Sequence, residues 1–502
     1  MKRLILGAAA ALLGSTTAAW PSVEISTAPT SNMVCAAGVC APSAKRAVLN
    51  ANDLAAMLAT ADVKVVTGNG AVTITVASPL SWTSARRLTL DANLDVSFRA
   101  PVVVAGPGAV TIVTNDGGSG GQLIFFEAGK LDFWSLTSSL VINGSSYVLV
   151  GDVATLAADI ASFPAGTFAL AKDYDASPDR RYKGAAIVTP LDGVFDGLGH
   201  TIYSLKIGQH SCDGSSLGLF SLIDQSGTVR DLHLDHVNVS SGRPQTAGGI
   251  AGGSLGAIAN VWVSGSIKTA SGSGGKCQGA GAGGVVGGSG FTGSIFNAHS
   301  SARVTMTLLN KYSFSSAGGL AGSASHVDLS SSTGNVDAPG ASIAGGLLGA
   351  GDTVSRSFTT SGGDAGTGGF DAGSGGLVGQ GGNISNSYAL GGAGGSVGCT
   401  GGFVGNNLGN ITSSYSTGPV YGDIKGGFSG CIYSSPDSND YWDTDTSGTT
   451  TGCGNDTDCT GVTGLTDDQL KSALPAGFDR TIWARDKNIN NGYPYLIDNP
   501  PQ

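Results

Sequence analysis

The stretch Gly375-Gly376-Leu377-Val378-Gly379-Gln380-Gly381-Gly382-Asn383-Ile384-Ser385-Asn386-Ser387-Tyr388 decides the fold. Its opening phrase is Gly-Gly, an apolar residue, any residue, then Gly. That phrase occurs seven times between Ala247 and Gly430, beginning at Gly248, Gly283, Gly318, Gly345, Gly375, Gly401 and Gly426. Successive copies start 35, 35, 27, 30, 26 and 25 residues apart, a period that marks stacked supersecondary units. The apolar residues Ile250, Val285, Leu320, Leu347, Leu377, Phe403 and Phe428 are expected to form one internal ladder, with neighbours about 4.8 Å apart. Ile258, Ile295, Val327, Val354, Ile384 and Ile411 are expected to form a second. No coil of this size buries its own apolar face, so stability is a sum over neighbours and the ends need caps.

Composition supports a solenoid of short strands. The 502 residues include 82 Gly and 17 Pro, with 41% hydrophobic residues and only 12% charged, about half the usual charged share. Each Gly inside a helix costs roughly 0.8–1.0 kcal/mol relative to Ala. Short strands with sharp corners use glycine better, since it takes positive φ freely. Gly on either side of the apolar residue in each repeat is expected to allow a sharp bend and close coil-to-coil stacking. The expected class is all-β, a parallel β-helix with short capping helices. Helical segments are expected at Asn52 to Ala59 and Val153 to Ala161. A third should follow the Thr466-Asp467-Asp468-Gln469 capping box.

Lys2-Arg3, the apolar run from Leu4 to Gly14 and Thr17-Ala18-Ala19 read as an export signal over residues 1–19. The remaining division is 20–62 as N-terminal segment and cap, 63–448 as β-helix with the Gly-rich repeats at 247–430, and 449–502 as C-terminal cap. In that cap, Ile482, Trp483, Tyr493, Tyr495 and Leu496 are expected to cover the last coil. The absence of a charged or Pro-rich linker favours one continuous domain. No segment is long and apolar enough for a membrane helix. The formal net charge of −10 disfavours nucleic acid and anionic lipid as partners.

Eight cysteines, Cys35, Cys40, Cys212, Cys277, Cys399, Cys431, Cys453 and Cys459, read as disulfides in an exported chain. Cys35–Cys40 and Cys453–Cys459 could close small loops. Cys212 and Cys277 each precede a coil-opening Gly by six residues, and Cys399 and Cys431 flank consecutive coils. Connectivity does not follow from spacing alone. Zinc is disfavoured, because no C-x-x-C pair occurs.

Gly376-Leu377-Val378-Gly379 matches the Gly-Leu-x-Gly core of the GLUG motif, and Asn383 to Ala389 continues it. Tyr441-Trp442-Asp443-Thr444-Asp445-Thr446-Ser447-Gly448 and Gly492-Tyr493-Pro494-Tyr495-Leu496 resemble the ending of GLUG-containing, filamentous-haemagglutinin-like bacterial proteins. The resemblance implies a right-handed parallel β-helix in an exported, adhesin-like protein. The chain lacks the Asn-Pro-Asn motif of the large two-partner adhesins and a C-terminal run of long amphipathic strands.

Chemistry is sparse in the repeat block. Residues 246–430 hold only six carboxylates, Asp328, Asp337, Asp352, Asp364, Asp371 and Asp423, where β-helix lyases and hydrolases cluster theirs on adjacent coils. The best catalytic candidate is His233 with Asp235, both expected to face outward if Leu232 and Leu234 face inward. A polar outer face explains the same pattern. Asp443 to Gly448 mimics the first half of an EF-hand loop, but Gly454 stands where Glu is required. No cofactor is expected; Ca²⁺ is the sole candidate, with Asp456 and Asp458 as further oxygens. The expected function is non-catalytic attachment to an extracellular glycan, matrix or cell surface, in part through Tyr388, Tyr415 and Tyr421. The expected location is extracellular or cell-surface, with the periplasm as the alternative. A carbohydrate-active enzyme and a structural spacer are the rival readings.

Overall fold

The computed structural model describes residues 21–501 apart from 69, 117, 119, 127, 210–215, 273–279, 289–292, 310–313, 366–371, 396–397, 435–436 and 456–458. The export signal, Cys212, Cys277, Asp371, Asp456 and Asp458 therefore lie outside the described residues. The chain packs as two units. One comprises residues up to Lys130 together with Ser138–Ser145; the other comprises Leu131–Thr137 and everything from Ser146 onward. Parallel strands stacked coil on coil build a β-solenoid.

In the first unit, alternating apolar residues pair in register. Val23 meets Ile74, Ile74 meets Val96 and Val96 meets Leu123. Val65, Leu90, Ile112 and Ile142 form a second buried ladder. The Cys35–Cys40 disulfide crosses an antiparallel hairpin of Met33–Ala36 and Val39–Pro42. Helix Ala51–Leu58 is capped by the Asn50 side chain, which accepts from the Asn52 and Asp53 amides, and it buries Leu54 and Leu58.

The second unit contains the repeats. A typical coil runs through four strands, Ile343–Gly345, Leu348–Ser355, Phe358–Thr359 and Gly363–Ala365, each paired in parallel with its counterpart one coil on. Both expected ladders form. All seven apolar residues of the phrase are fully buried, and their backbones hydrogen-bond in series: Val285 to Leu320 (2.8 Å), Leu320 to Leu347 (2.9 Å), Leu347 to Leu377 (2.9 Å), Leu377 to Phe403 (2.8 Å) and Phe403 to Phe428 (2.8 Å). Phe403 and Phe428 stack with centroids 4.7 Å apart. The second ladder pairs Ile258 with Ile295, then Val327, Val354, Ile384 and Ile411.

Of the two expected uses of glycine, positive φ and close coil-to-coil stacking, the repeat makes the second. None of the repeat glycines has positive φ. What they lack is room: a Cβ on Gly376 would lie 1.9 Å from the Gly402 carbonyl oxygen, and one on Gly319 would lie 2.3 Å from that of Gly346. The corner brings adjacent coils into backbone contact, and any side chain would separate them.

A different corner carries the left-handed residues. Asp231, Asn260, Asn297, Leu329, Arg356, Asn386, Ser413 and Asn439 occupy it coil after coil, with φ between 43° and 57°. Asn and Asp tolerate this region best. Just after it runs a buried hydroxyl ladder. The Ser330 amide donates to Ser357 Oγ (3.1 Å), Ser357 to Ser387 (3.2 Å) and Ser387 to Ser414 (3.2 Å); Ser414 then donates to Asp440 Oδ1 (2.8 Å). These side chains supply hydrogen bonds that the interrupted strand ladder cannot.

Helix Asp467–Ser472 opens with the expected capping box. The segment beyond it departs from expectation. Instead of only closing the last coil, it lies back along the side of the solenoid. Trp483 packs against Tyr388 and Tyr415 with centroids 6.0 and 5.9 Å away, and its indole donates to Asn386 Oδ1 (3.2 Å). Asn499 reaches the carbonyls of Ser330 and Arg356. Among the described residues three disulfides are formed, Cys35–Cys40, Cys399–Cys431 and Cys453–Cys459.

Close backbone contact predicts a sharp contrast between glycines. Gly376→Ala should lower unfolding free energy by on the order of 3–5 kcal/mol or prevent folding. Gly242→Ala, where a Cβ meets nothing within 4 Å, should change it by less than about 0.5 kcal/mol. Denaturant titration of the two variants measures this; equal effects would refute the contact argument.

Candidate functional site

Two residues after the left-handed corner, one side chain per coil points out of the solenoid. Strand register aligns Thr201, His233, Trp262, His299, Ser331, Phe358, Tyr388, Tyr415 and Tyr441 in a single row. Most are aromatic, and they stack. His233 and Trp262 lie 4.6 Å apart, Trp262 and His299 5.2 Å, Phe358 and Tyr388 4.8 Å, and Tyr388 and Tyr415 5.2 Å. Ser331 interrupts the row.

The two halves differ in what covers them. From Phe358 onward the row is buried under the C-terminal segment, together with Leu470, Phe478, Trp483, Tyr493 and Leu496. Tyr388 and Tyr415, expected to face solvent, do point away from the coil but are fully buried by this segment. Tyr421 is exposed at 66%. The half from Thr201 to Ser331 is partly open: Thr201, His233 and Trp262 are half-buried, while His299 and Ser331 are buried. It floors a groove of about 300 Å³ whose walls include Tyr203, Asp235, Ser264, Ser301 and Thr333.

His233 and Asp235 both face this groove, as expected, while Leu232 and Leu234 are buried behind them. The structure does not join them as a hydrogen-bonded pair. Asp235 accepts instead from Ser264 Oγ (2.5 Å) and lies 2.9 Å from His236 Nδ1. Burial works against its charge, yet these bonds and the neighbouring His236 hold its carboxyl below the ordinary value. Burial also lowers the His233 imidazole, against the pull of Asp173 and Asp235.

His299 is more tightly held. Its Nδ1 lies 2.8 Å from Ser331 Oγ and its Nε2 3.0 Å from Asn297 Oδ1. Asn297 Nδ2 donates to Asn260 Oδ1 and Asn260 Nδ2 to Asp231 Oδ1, each at 2.9 Å. A polar chain thus runs up the left-handed corner and fixes the imidazole. Burial pushes His299 down to about 4, with His233 adding to the effect. Both imidazoles are therefore neutral at pH 7.

Elsewhere, Asp443 Oδ1 accepts the Asp445 and Thr446 amides (2.9 and 3.2 Å), and Oδ2 accepts from Tyr493 (3.1 Å). It caps a turn and anchors the C-terminal segment. Among the described residues no group of three His, Cys, Asp or Glu is placed to hold a metal ion. No helix among them is long and apolar enough to cross a membrane.

Comparison with known proteins gives limited likeness. No family model matches the chain. A curated relative, Halomucin of Haloquadratum walsbyi, is 34% identical over 112 residues, covering 20% of this chain and 1% of its own length. The chain thus spans about one hundredth of that relative. A solved structure from Bacteroides ovatus, provisionally described as an immunoglobulin A1 protease, aligns with a TM-score of 0.32 and 18% identity. That alignment covers 70% of this chain and 92% of the other.

The depressed His299 value carries a sign. An unfolded His binds its proton near pH 6.5, while folded His299 resists protonation until about pH 4. Stability is therefore lost as pH falls through that window, by on the order of 1–3 kcal/mol. Denaturant unfolding at pH 7 and pH 4.5 should show a smaller loss for His299→Gln than for the native chain. Equal losses would contradict the assignment.

Proposed function

We propose that this chain is an extracellular, non-catalytic β-solenoid protein that attaches to a surface through the open half of its lateral aromatic row. The supporting observation is that one row of stacked rings is covered from Phe358 onward and uncovered around Trp262, within a polar-rimmed groove. Aromatic floors with convergent polar groups are the usual makeup of a binding site. Three disulfides accord with an oxidising compartment. The GLUG-type, adhesin-like resemblance of the repeats agrees with this reading. Attachment to a cell surface, extracellular matrix or glycan is its finer form.

A hydrolytic reading draws on one arrangement, Ser331 Oγ beside His299 and His299 beside Asn297, the order of nucleophile, base and orienting group. Its base is weak: with a value of about 4, His299 is poorly matched to accept a proton at neutral pH. Absence of Ser331 labelling by a fluorophosphonate, with no turnover of ester or polysaccharide substrates, would remove this reading.

The attachment reading predicts that Trp262→Ala lowers binding of the purified chain to its surface at least tenfold. Trp134→Ala, at a side chain 71% exposed and outside the groove, should leave binding unchanged. Solid-phase binding to cells, matrix and immobilised glycans measures both. Binding that survives Trp262→Ala would refute the role of the groove.

A further inference from the structure

We infer that the groove selects a neutral, hydroxyl-rich saccharide segment and rejects acidic ones; this rests on the attachment reading above. The first argument is geometric. Both faces of the Trp262 indole are occupied, one by His233 and the other by His299. A ligand in the groove therefore meets ring edges, and stacking on the indole face is closed to it. Recognition falls to hydrogen bonds, which suits a polyol better than a flat apolar ring.

The second argument concerns donors and acceptors. His299 spends both ring nitrogens on Ser331 and Asn297 and serves as a fixed wall. His233 lines the same groove half-buried, and as a neutral imidazole it offers one donor and one acceptor. The Trp262 indole N–H is a donor, and Ser301 and Thr333 contribute exposed hydroxyls on the walls. Asp235 keeps lone pairs beyond those used by Ser264 and His236, and a carboxylate pairs well with vicinal hydroxyls.

The third argument is charge. Among the described residues no Lys or Arg lines the groove. The carboxylates nearest its imidazoles are Asp235 and Asp173, which both act on His233, and the chain carries a formal −10. His236 lies 79% exposed beside Asp235, and Tyr203 is a further titratable residue on the wall. An anionic sugar would enter this field with no cation among the described lining residues to meet it and would lose its hydration without compensation.

Calorimetric titration of the intact chain tests the inference, with cellohexaose, mannohexaose and chitohexaose as neutral probes and hexagalacturonate as the acidic one. The inference expects a neutral probe to bind at least tenfold more tightly than hexagalacturonate. It expects that binding to fall at least tenfold in both Trp262→Ala and His233→Ala. Asp235→Asn, a partly exposed change that keeps the fold, should narrow the gap by admitting the acidic probe. Preference for hexagalacturonate, lost in Trp262→Ala, would overturn the ligand class and leave groove attachment standing. The class is equally overturned if no neutral probe binds while surface attachment still depends on Trp262. Attachment independent of Trp262 would instead overturn the reading on which the class rests.

Discussion

Adjacent coils of this protein touch backbone to backbone at one corner, and the rest of the second unit depends on that contact. A Cβ at Gly376 or Gly319 would sit about 2 Å from a carbonyl oxygen of the next coil. Once the corners meet, the coils stack in register, and every position of the repeat becomes a ladder. The apolar residue of the phrase fills the interior. Ser330, Ser357, Ser387 and Ser414 supply bonds where the strand ladder breaks. The position two residues past the left-handed corner becomes an external row of rings.

That row is one feature with two fates. Between Phe358 and Tyr441 it is the bed for the C-terminal segment, which adds Trp483, Phe478 and Tyr493 to form a second hydrophobic cluster. Burying each such aromatic contributes about 1.5–3 kcal/mol, so the segment is an integral part of the fold. Between His233 and His299 the same geometry meets no covering segment among the described residues. Attachment is proposed there because half-buried His233 and Trp262 line a polar-rimmed groove.

Much of the fold was legible in the sequence. The Gly-Gly phrase, the Ile258-to-Ile411 ladder and the Thr466 capping box all depend on local spacing, and each formed. Cys399 and Cys431, flanking consecutive coils, did pair. Close coil-to-coil stacking at the repeat glycines was legible and formed, while positive φ is not what they supply: φ is a property of one residue, close approach of two coils. The fate of Tyr388 and Tyr415 was illegible. Their outward direction follows from alternation, but the segment that buries them comes from far along the chain, with Asn499 meeting Ser330 across 169 residues. The site itself left a readable trace that local scanning passed over. Rings at His233, Trp262, His299, Phe358, Tyr388, Tyr415 and Tyr441 recur 29, 37, 59, 30, 27 and 26 residues apart. Each stands two residues after a corner residue, usually Asn, Asp or Ser. Reading His233 with Asp235 along one strand concealed its true neighbour, Trp262, one coil away.

Oxidative footprinting of the intact chain, free and bound to its surface, tests the account most directly, because it reads each tryptophan separately. The account predicts that in the free chain Trp262 and Trp134 react while Trp483 is protected, and that attachment shields Trp262 alone. Shielding of Trp134 with Trp262 still reactive, or a Trp483 already reactive in the free chain, would contradict it.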